Sequence, residues 1–173
     1  EVRGNYATLN PLRKPSGILL TEGNLKYNFQ SGGNQQVFTT FGMSSGKWYA
    51  EFTKVTGTYF QVGISAGNVT TATYVGGTSG SYGYGYNGSK YNAGSTVAYA
   101  TQPADGDVVG IAFDADIGQL TFYLNGSSLG VAYSNIPQDT YFMCIGADGV
   151  TAHFNAGQRA WAYTPPSGYK ALC

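Results

Sequence analysis

The sequence has little charge, a single histidine and no long apolar run. Only 10% of its 173 residues are charged, and nine basic residues balance nine acidic ones. Because such a chain has no basic field with which to collect phosphates, neither nucleic acid nor anionic lipid is predicted as a partner. No stretch approaches the roughly 18–20 consecutive apolar residues of a membrane span, so membrane insertion is not predicted either.

Residues that carry catalysis or bind metals are also sparse. His153 has no Ser or Cys nucleophile motif near it in the sequence, whereas a catalytic triad needs a base with its own orienting partner. Glu51 stands alone on its strand, so the paired carboxylates of a glycosidase are missing. Asp114 and Asp116 lie in a turn whose spacing does not complete a calcium loop. We therefore predict no catalytic residue, no metal and no cofactor.

Two cysteines leave the redox compartment open. Cys144 lies in the apolar run 141–145 and is predicted to be a buried, reduced core residue. Cys173 is the last residue, and the two could pair if their segments meet in the fold.

Glycine and aromatic residues are abundant: 26 glycines, 15 tyrosines, nine phenylalanines and two tryptophans. Few charges, many small and aromatic residues and no helical period predict an all-β protein, and the length suits one domain. Residues 1–17 have no sustained period and contain two prolines. They are predicted to form an extended N-terminal arm, laid over the domain or toward a neighbour, with one β-sandwich domain at 18–173.

The clearest pattern lies in residues 106–136. Apolar residues alternate with others in three successive runs, the spacing that sends side chains to opposite faces of a sheet. Asn125-Gly126 separates the second run from the third and is a strong hairpin signal, because both residues tolerate a positive φ. The pattern predicts an antiparallel meander with one apolar face.

This stretch also resembles the SPRY domain. The resemblance rests on a GD-x-(V/I)-G opening, an apolar strand ending in Asp, and an L-x-F-Y-x-NG hairpin, carried by Gly106, Asp107, Val109, Gly110, Asp114, Gly118, Leu120, Phe122, Tyr123, Asn125, Gly126, Leu129 and Gly130. An upstream G-K-W-Y-x-E strand and x-V-G-I strand match at Gly46, Lys47, Trp48, Tyr49, Glu51, Val62, Gly63 and Ile64. The resemblance implies an antiparallel β-sandwich of the concanavalin A-like jelly-roll type that binds other molecules without chemistry.

Both ends of the chain resemble SPRY-like domains of bacteriophage virion proteins. The C-terminal match falls on Asn155, Gly157, Gln158, Tyr163, Pro165, Pro166, Gly168 and Tyr169, and the N-terminal match on residues 7–12 and 20–25. This resemblance implies a fibre or decoration domain at a virion surface, outside the cell, with other virion proteins as partners.

The stretch between Asn68 and Gly94 is the best binding candidate. Tyr82-Gly-Tyr84-Gly-Tyr86 would place three rings on one face of a strand and bare glycine on the other. Tyrosine offers a large, stiff contact area and a hydroxyl group. The predicted ligand-binding residues are Tyr82, Tyr84, Tyr86, Asn87, Tyr91 and Trp161.

Three interpretations of this surface remain open at the level of the sequence. In the first, it is an adhesin that contacts a host-surface glycan or protein. In the second, the tyrosines and the N-terminal arm join copies of the chain in a fibre or shell, since interface cores are depleted of charge and enriched in tyrosine. In the third, the chain is a SPRY adaptor that binds a short peptide.

Overall fold

The computed structural model describes residues 4–173, and the regular secondary structure of this part of the chain is strand, apart from one 3₁₀ turn. No helix in it is long and apolar enough to cross a membrane. The strands are β1 (Ile18–Thr21), β2 (Lys26–Phe29), β3 (Val37–Met43), β4 (Lys47–Thr56), β5 (Tyr59–Ala66), β6 (Ser81–Gly85), β7 (Ser89–Asn92), β8 (Ser95–Ala98), β9 (Val108–Asp114), β10 (Gln119–Leu124), β11 (Ser127–Tyr133), β12 (Tyr141–Asp148), β13 (Thr151–Asn155) and β14 (Lys170–Ala171), with a 3₁₀ turn at Tyr86–Gly88.

Within residues 4–173 these strands form two sheets that pack face to face. The eight-stranded sheet has the order β1-β2-β13-β4-β9-β10-β11, and β14 pairs with β4. The six-stranded sheet has the order β3-β12-β5-β6-β7-β8. Every pairing of these strands is antiparallel except that of β14 with β4. The predicted all-β, jelly-roll-like antiparallel sandwich is confirmed.

The predicted meander is confirmed as β9, β10 and β11. Asn125 and Gly126 have φ angles of 49° and 80°, the left-handed conformation that a two-residue hairpin requires. Alternate residues of these strands enter the core between the sheets, where Phe122 contacts Tyr84 of the other sheet at a ring-centroid distance of 5.3 Å. Alternation predicts the buried face of β10, but β9 is buried on both faces. In β11 the irregular register with β10 leaves Val131 50% exposed and buries Ala132 instead, which corrects the single apolar face predicted there.

The N-terminal arm is packed on its own domain. Ala7 and Leu9 have no exposed surface, and Leu9 bridges to β3. The guanidinium of Arg13 lies 3.7 Å from the centroid of the Phe38 ring, a cation–π contact. Residues 4–17 thus contribute to the packing of the sandwich. The first three residues of the predicted arm lie outside the described residues, and a domain boundary at residue 17 stays a prediction.

The C-terminal segment covers the outer face of β4. Glu51 lies on that face, yet only 2% of its surface is exposed, because residues 156–172 cross over it. Its carboxylate accepts hydrogen bonds from the backbone N–H groups of Ala162 and Tyr163, each at 3.0 Å. The segment is held in place by this buried acceptor.

One edge of the eight-stranded sheet is capped by one side chain from β7 and one from the residue that follows β8. Strand β11 is an edge strand. Its Ala132 carbonyl accepts a hydrogen bond from Lys90 Nζ at 2.7 Å, and its Gly130 carbonyl accepts one from the Tyr99 hydroxyl at 2.5 Å. Part of the unpaired backbone of this edge is therefore satisfied within the molecule.

Candidate functional site

A loop packs on the outer face of the six-stranded sheet, at positions occupied by glycine. Gly83 of β6 and Gly146 of β12 point outward, and the loop of residues 67–80 crosses above them. A Cβ at Gly83 would lie 2.9 Å from the Val75 carbonyl oxygen, and one at Gly146 would lie 3.0 Å from Val75 Cγ2. Val75 is fully buried there. The backbone of the loop thus closely approaches the glycine face of β6.

A buried polar network anchors this loop to the sheet. The Ser81 hydroxyl accepts a hydrogen bond from the Gly76 N–H at 2.7 Å and lies 2.7 Å from the Ser65 hydroxyl. Ser65 in turn lies 3.3 Å from the Cys144 thiol. Burial raises the pKa of that thiol to about 12. Cys144 is therefore a protonated member of the packing, and it is not paired with the exposed Cys173.

A cleft of about 280 Å³ opens beside the loop. Its walls come from β5, β7, β8, β12 and the loop, and its lining includes Asn34, Tyr59, Gln61, Tyr74, Tyr91 and Asp148. Tyr59 and Asp148 are directly opposed in the β5–β12 pairing. Directly opposed residues carry their side chains on the same face of a sheet, so a ring and a carboxylate share one wall of the cleft.

Two pairs of aromatic rings position the tyrosines of the cleft. The Tyr59 and Tyr86 rings have centroids 4.7 Å apart, and those of Tyr74 and Tyr91 are 6.3 Å apart with an edge-to-face orientation. The Tyr91 hydroxyl donates hydrogen bonds to the Tyr86 carbonyl and to Asn87 Oδ1. Burial is the largest cause of the raised pKa of this hydroxyl. These contacts hold the rings in fixed orientations.

The structure separates the sequence-predicted tyrosines. Tyr82 and Tyr84 point into the core, where Tyr84 is fully buried and its hydroxyl donates to the Thr101 carbonyl. The edge of Tyr82 borders a second hollow of about 500 Å³ on the other side of the loop. Tyr86 lies beyond the end of β6, in the 3₁₀ turn. The expectation that the three rings share one face is thus corrected, because the strand ends at Gly85.

Trp161 lies on the opposite side of the sandwich from the cleft. Its ring packs edge-to-face on Tyr49 of β4, with centroids 5.3 Å apart, on the outer face of the eight-stranded sheet. Of the predicted residues, only Tyr91 lines the cleft, while Tyr86 and Asn87 support it. Whether any of the six contacts a ligand stays a prediction.

Tyr59, Tyr74 and Asp148 line the cleft but are not among the predicted ligand-binding residues. Tyr59 opens β5 and Asp148 ends β12, while Tyr74 lies in the loop of residues 67–80, inside the stretch that the sequence marks for binding. No local motif joins them, because the β5–β12 register brings Tyr59 and Asp148 together. The outward position of Tyr59 in its alternating strand was the one available signal.

The residues weighed for chemistry are occupied by structural contacts. The Asp114 carboxylate accepts from the Asp116 N–H at 3.1 Å and lies 3.2 Å from Lys47 Nζ. His153 Nδ1 lies 3.5 Å from a Glu22 carboxylate oxygen without a hydrogen bond between them. No group of three or more His, Cys, Asp or Glu side chains in residues 4–173 has the arrangement of a metal site.

A jelly-roll-like sandwich with an aromatic cleft on one outer face belongs to an architecture typical of ligand-binding domains. The SPRY domain family matches residues 47–159. Because this match covers more than half of the chain, the chain belongs to the SPRY domain family. Domains of this family are generally binding modules and not enzymes.

Two known proteins illustrate the relationship. The crystal structure of the SPRY domain of human HERC1 superposes with a TM-score of 0.72 at 21% identity, covering 88% of this chain and 99% of that chain. The ATP-dependent RNA helicase Ddx1 of Drosophila melanogaster is 27% identical over 95 residues, which are 53% of this chain and 13% of the helicase. The chain thus spans a small part of that relative's length. The predicted SPRY membership is confirmed, and the bacteriophage type stays a prediction.

Proposed function

We propose that this chain is a protein-binding module that recognises a short peptide segment of a partner at the tyrosine cleft. The observation that carries the proposal is a concave site lined by three tyrosines on the outer face of a SPRY-family sandwich. Tyrosine rings supply contact area at a small entropic cost, and their hydroxyls supply hydrogen bonds to a peptide backbone. The proposal corresponds to the third interpretation of the sequence, the SPRY adaptor.

The rigidity of the site supports this proposal. Tyr59 and Tyr91 lie on strands, and Tyr74 lies on a loop whose neighbour Val75 is fully buried. Binding to a preorganised site spends little of its free energy on ordering side chains.

The lining is also suited to binding more than to catalysis. Among the residues of 4–173 that line the cleft, Asp148 is the single carboxylate, and there is neither histidine nor cysteine. General acid–base or nucleophilic catalysis requires a second group within hydrogen-bonding reach of the reacting atoms. The polar groups of the cleft serve recognition in this proposal.

The virion role, glycan binding and self-assembly are finer proposals that rest on the sequence alone. The virion role and the location at a virion surface depend on the two terminal motifs. Glycan binding depends on the general ability of tyrosine to stack on sugars, and self-assembly on the low charge. None of them gains support from the relatives described above, and glycan binding and self-assembly are outcomes of the experiment below.

Selection from a phage-displayed library of random dodecapeptides on the immobilised chain tests the peptide-binding proposal. We expect selected peptides to lose at least roughly tenfold in affinity for the double variant Tyr59→Ala/Tyr74→Ala, since each ring is worth about 1 kcal/mol or more of contact. The matched control is Tyr163→Ala, which removes a ring that is 37% exposed near the opposite sheet.

Equal binding of the selected peptides to the double variant would place recognition elsewhere and refute the cleft. A chain that selects no peptide but binds a neutral oligosaccharide array through the cleft would favour the adhesin interpretation. Association of the native chain into fibres that bury the cleft would favour the building block. Circular dichroism of each variant verifies that it is folded.

A further inference from the structure

The charge of the cleft suggests what kind of side chain it accepts. Of the lining residues that the structure describes, Asp148 is the one with a formal charge, and it is half-buried. Within residues 4–173 it takes part in none of the ion pairs, which join other carboxylates to Lys47, Lys54, Lys26, His153 and Arg159. A partly buried carboxylate without a cation has lost some of its hydration and has not been compensated.

The rings next to Asp148 favour a cation as well. Tyr59, its cross-strand partner, keeps 52% of its surface exposed. The contact with Tyr86 fixes the orientation of that ring. A cation above the face of a tyrosine is attracted by the ring quadrupole, and the attraction increases as water is excluded. A carboxylate and an aromatic face on the same wall of the cleft would therefore both attract one bound cation.

The volume of the cleft, about 280 Å³, leaves room for an aliphatic stem. The lining residue Ala147 faces the core beside Phe60, so no β12 side chain stands between Gly146 and Asp148 on the cleft side of the strand. Tyr74 and Tyr91 form the opposite wall. Long basic side chains bury their methylene groups on such a surface while the charged end stays near its partner.

We infer that the cleft binds the side chain of an arginine or lysine presented by the partner peptide, with Asp148 and the Tyr59 ring holding its charge. The inference rests on the proposed function and deepens it, because it assigns the chemical class of the recognised residue. An acidic or phosphorylated residue is excluded from the same position by repulsion from Asp148. A neutral sugar leaves the carboxylate uncompensated.

A pair of peptides that differ in one charge tests this inference. Ac-Gly-Gly-Arg-Gly-Gly-NH2 and the same peptide with citrulline have nearly equal shape, so a difference in affinity reports the cation. Titration of each into the ¹⁵N-labelled chain, followed by NMR, should shift the resonances of the cleft, with the arginine peptide at least roughly fivefold tighter.

Two variants locate the charge effect. Asp148→Asn should lower the affinity for the arginine peptide to that for the citrulline peptide, while the affinity for citrulline stays unchanged. Asp139→Asn changes an exposed carboxylate that lines the second hollow and not the cleft, and should alter neither affinity. A lysine peptide should behave as the arginine peptide does.

Several results would overturn the inference. They are equal affinities for arginine and citrulline, an unchanged affinity after Asp148→Asn, shifts confined to residues outside the cleft, and no shift up to the solubility limit of the peptide. If the library selection described above yields peptides that bind in the cleft without a basic residue, the proposed function stands and this inference fails. If no peptide binds in the cleft, both fail.

Discussion

The backbone N–H of Tyr163 donates a hydrogen bond to the Glu51 carboxylate across 112 positions of the sequence, at 3.0 Å. The second carboxylate oxygen accepts the N–H of Ala162 at the same distance. Both oxygens of a buried acid are thus used to fasten the C-terminal segment to β4. The relationship also explains how an acidic side chain on an outward-facing strand position becomes buried.

Glu51→Gln should weaken the hydrogen bonds that hold the C-terminal segment on β4. A glutamine offers one oxygen, and its NH2 group would face a second donor, so the substitution should lower the free energy of unfolding by about 1–3 kcal/mol. Urea unfolding measures the loss, and hydrogen exchange at Ala162 and Tyr163 measures the local opening. The matched control, Glu22→Gln, changes an exposed carboxylate and should have a much smaller effect. Unaltered exchange at both amides would contradict the role given to Glu51.

Tyr84 and Tyr86 should differ sharply when each is replaced by alanine. Tyr84 is fully buried in the core, so Tyr84→Ala should lower the free energy of unfolding by about 3–5 kcal/mol. Tyr86→Ala should cost about 1 kcal/mol, since it mainly removes a ring contact with Tyr59. Thermal and urea unfolding give both values. Equal costs would show that the two rings occupy equivalent positions.

This contrast has a practical side for binding assays. The double replacement of Tyr84 and Tyr86 would confuse loss of fold with loss of binding, because one of its members belongs to the core. Tyr84→Phe keeps the ring and removes the hydrogen bond to the Thr101 carbonyl, at a cost of about 1 kcal/mol. It therefore separates the hydroxyl from the packing.

Gly83→Ala should dislodge the loop above the six-stranded sheet. The new methyl group would lie 2.8 Å from Val75 Cγ1 and 2.9 Å from the Val75 carbonyl oxygen, so the loop must move, at a cost of about 1–3 kcal/mol. Limited proteolysis should then cut within residues 67–80 faster than in the unaltered chain.

Gly67→Ala is the matched control for this test. Its methyl group would lie 3.4 Å from Phe142 Cε2, an ordinary contact, so proteolysis should be unchanged. Because Tyr74 is carried by the same loop, Gly83→Ala should also weaken binding of any ligand selected on the cleft. A loop that stays as resistant as before would show that it does not rest on Gly83.

Stability should decline in alkaline solution as buried tyrosines are forced to ionise. Burial is the largest cause that raises the pKa of Tyr99 and Tyr141 to about 12, from an ordinary value of 10. Between these values the unfolded chain releases protons that the folded chain keeps. The stability is therefore present in full below pH 10 and is lost as the pH rises toward 12.

The midpoint of urea unfolding, measured at increasing pH, follows this loss. It should be level below pH 10 and fall steadily above it. Tyr141→Phe removes one of the groups and should flatten the fall while lowering the midpoint at neutral pH. A midpoint that stays level through pH 11 would contradict the burial of these hydroxyls.

The parts of the sandwich that depend only on local sequence were predictable. The meander of β9, β10 and β11 followed from alternation and from Asn125-Gly126, because turn geometry and a two-residue period are local properties. The alternation of tyrosine and glycine in β6 was also legible. The sequence did not predict which face of β6 enters the core, because tyrosine rings and bare glycine backbone can both face a packed surface.

The candidate site was predictable only in part, because it depends on pairings between distant strands. Tyr91 lies in the stretch that composition marked for binding. Tyr59 and Asp148 meet through the β5–β12 register, which no single segment encodes. The positions of Trp161 and Glu51 were unpredictable for the same reason. Only the folded structure shows that the C-terminal segment covers β4.

The capped edge of β11 has a consequence for how copies of this chain can meet. A bare edge strand is a template on which a neighbouring molecule continues the sheet, and it is the usual starting point for runaway polymerisation. At β11, an incoming strand would first have to displace Lys90 and Tyr99 from the carbonyls of Ala132 and Gly130. The addition of further strands to the sheet is therefore obstructed at β11. An ordered assembly that uses this side would be joined through side chains, and the complementarity of those side chains would set its stoichiometry.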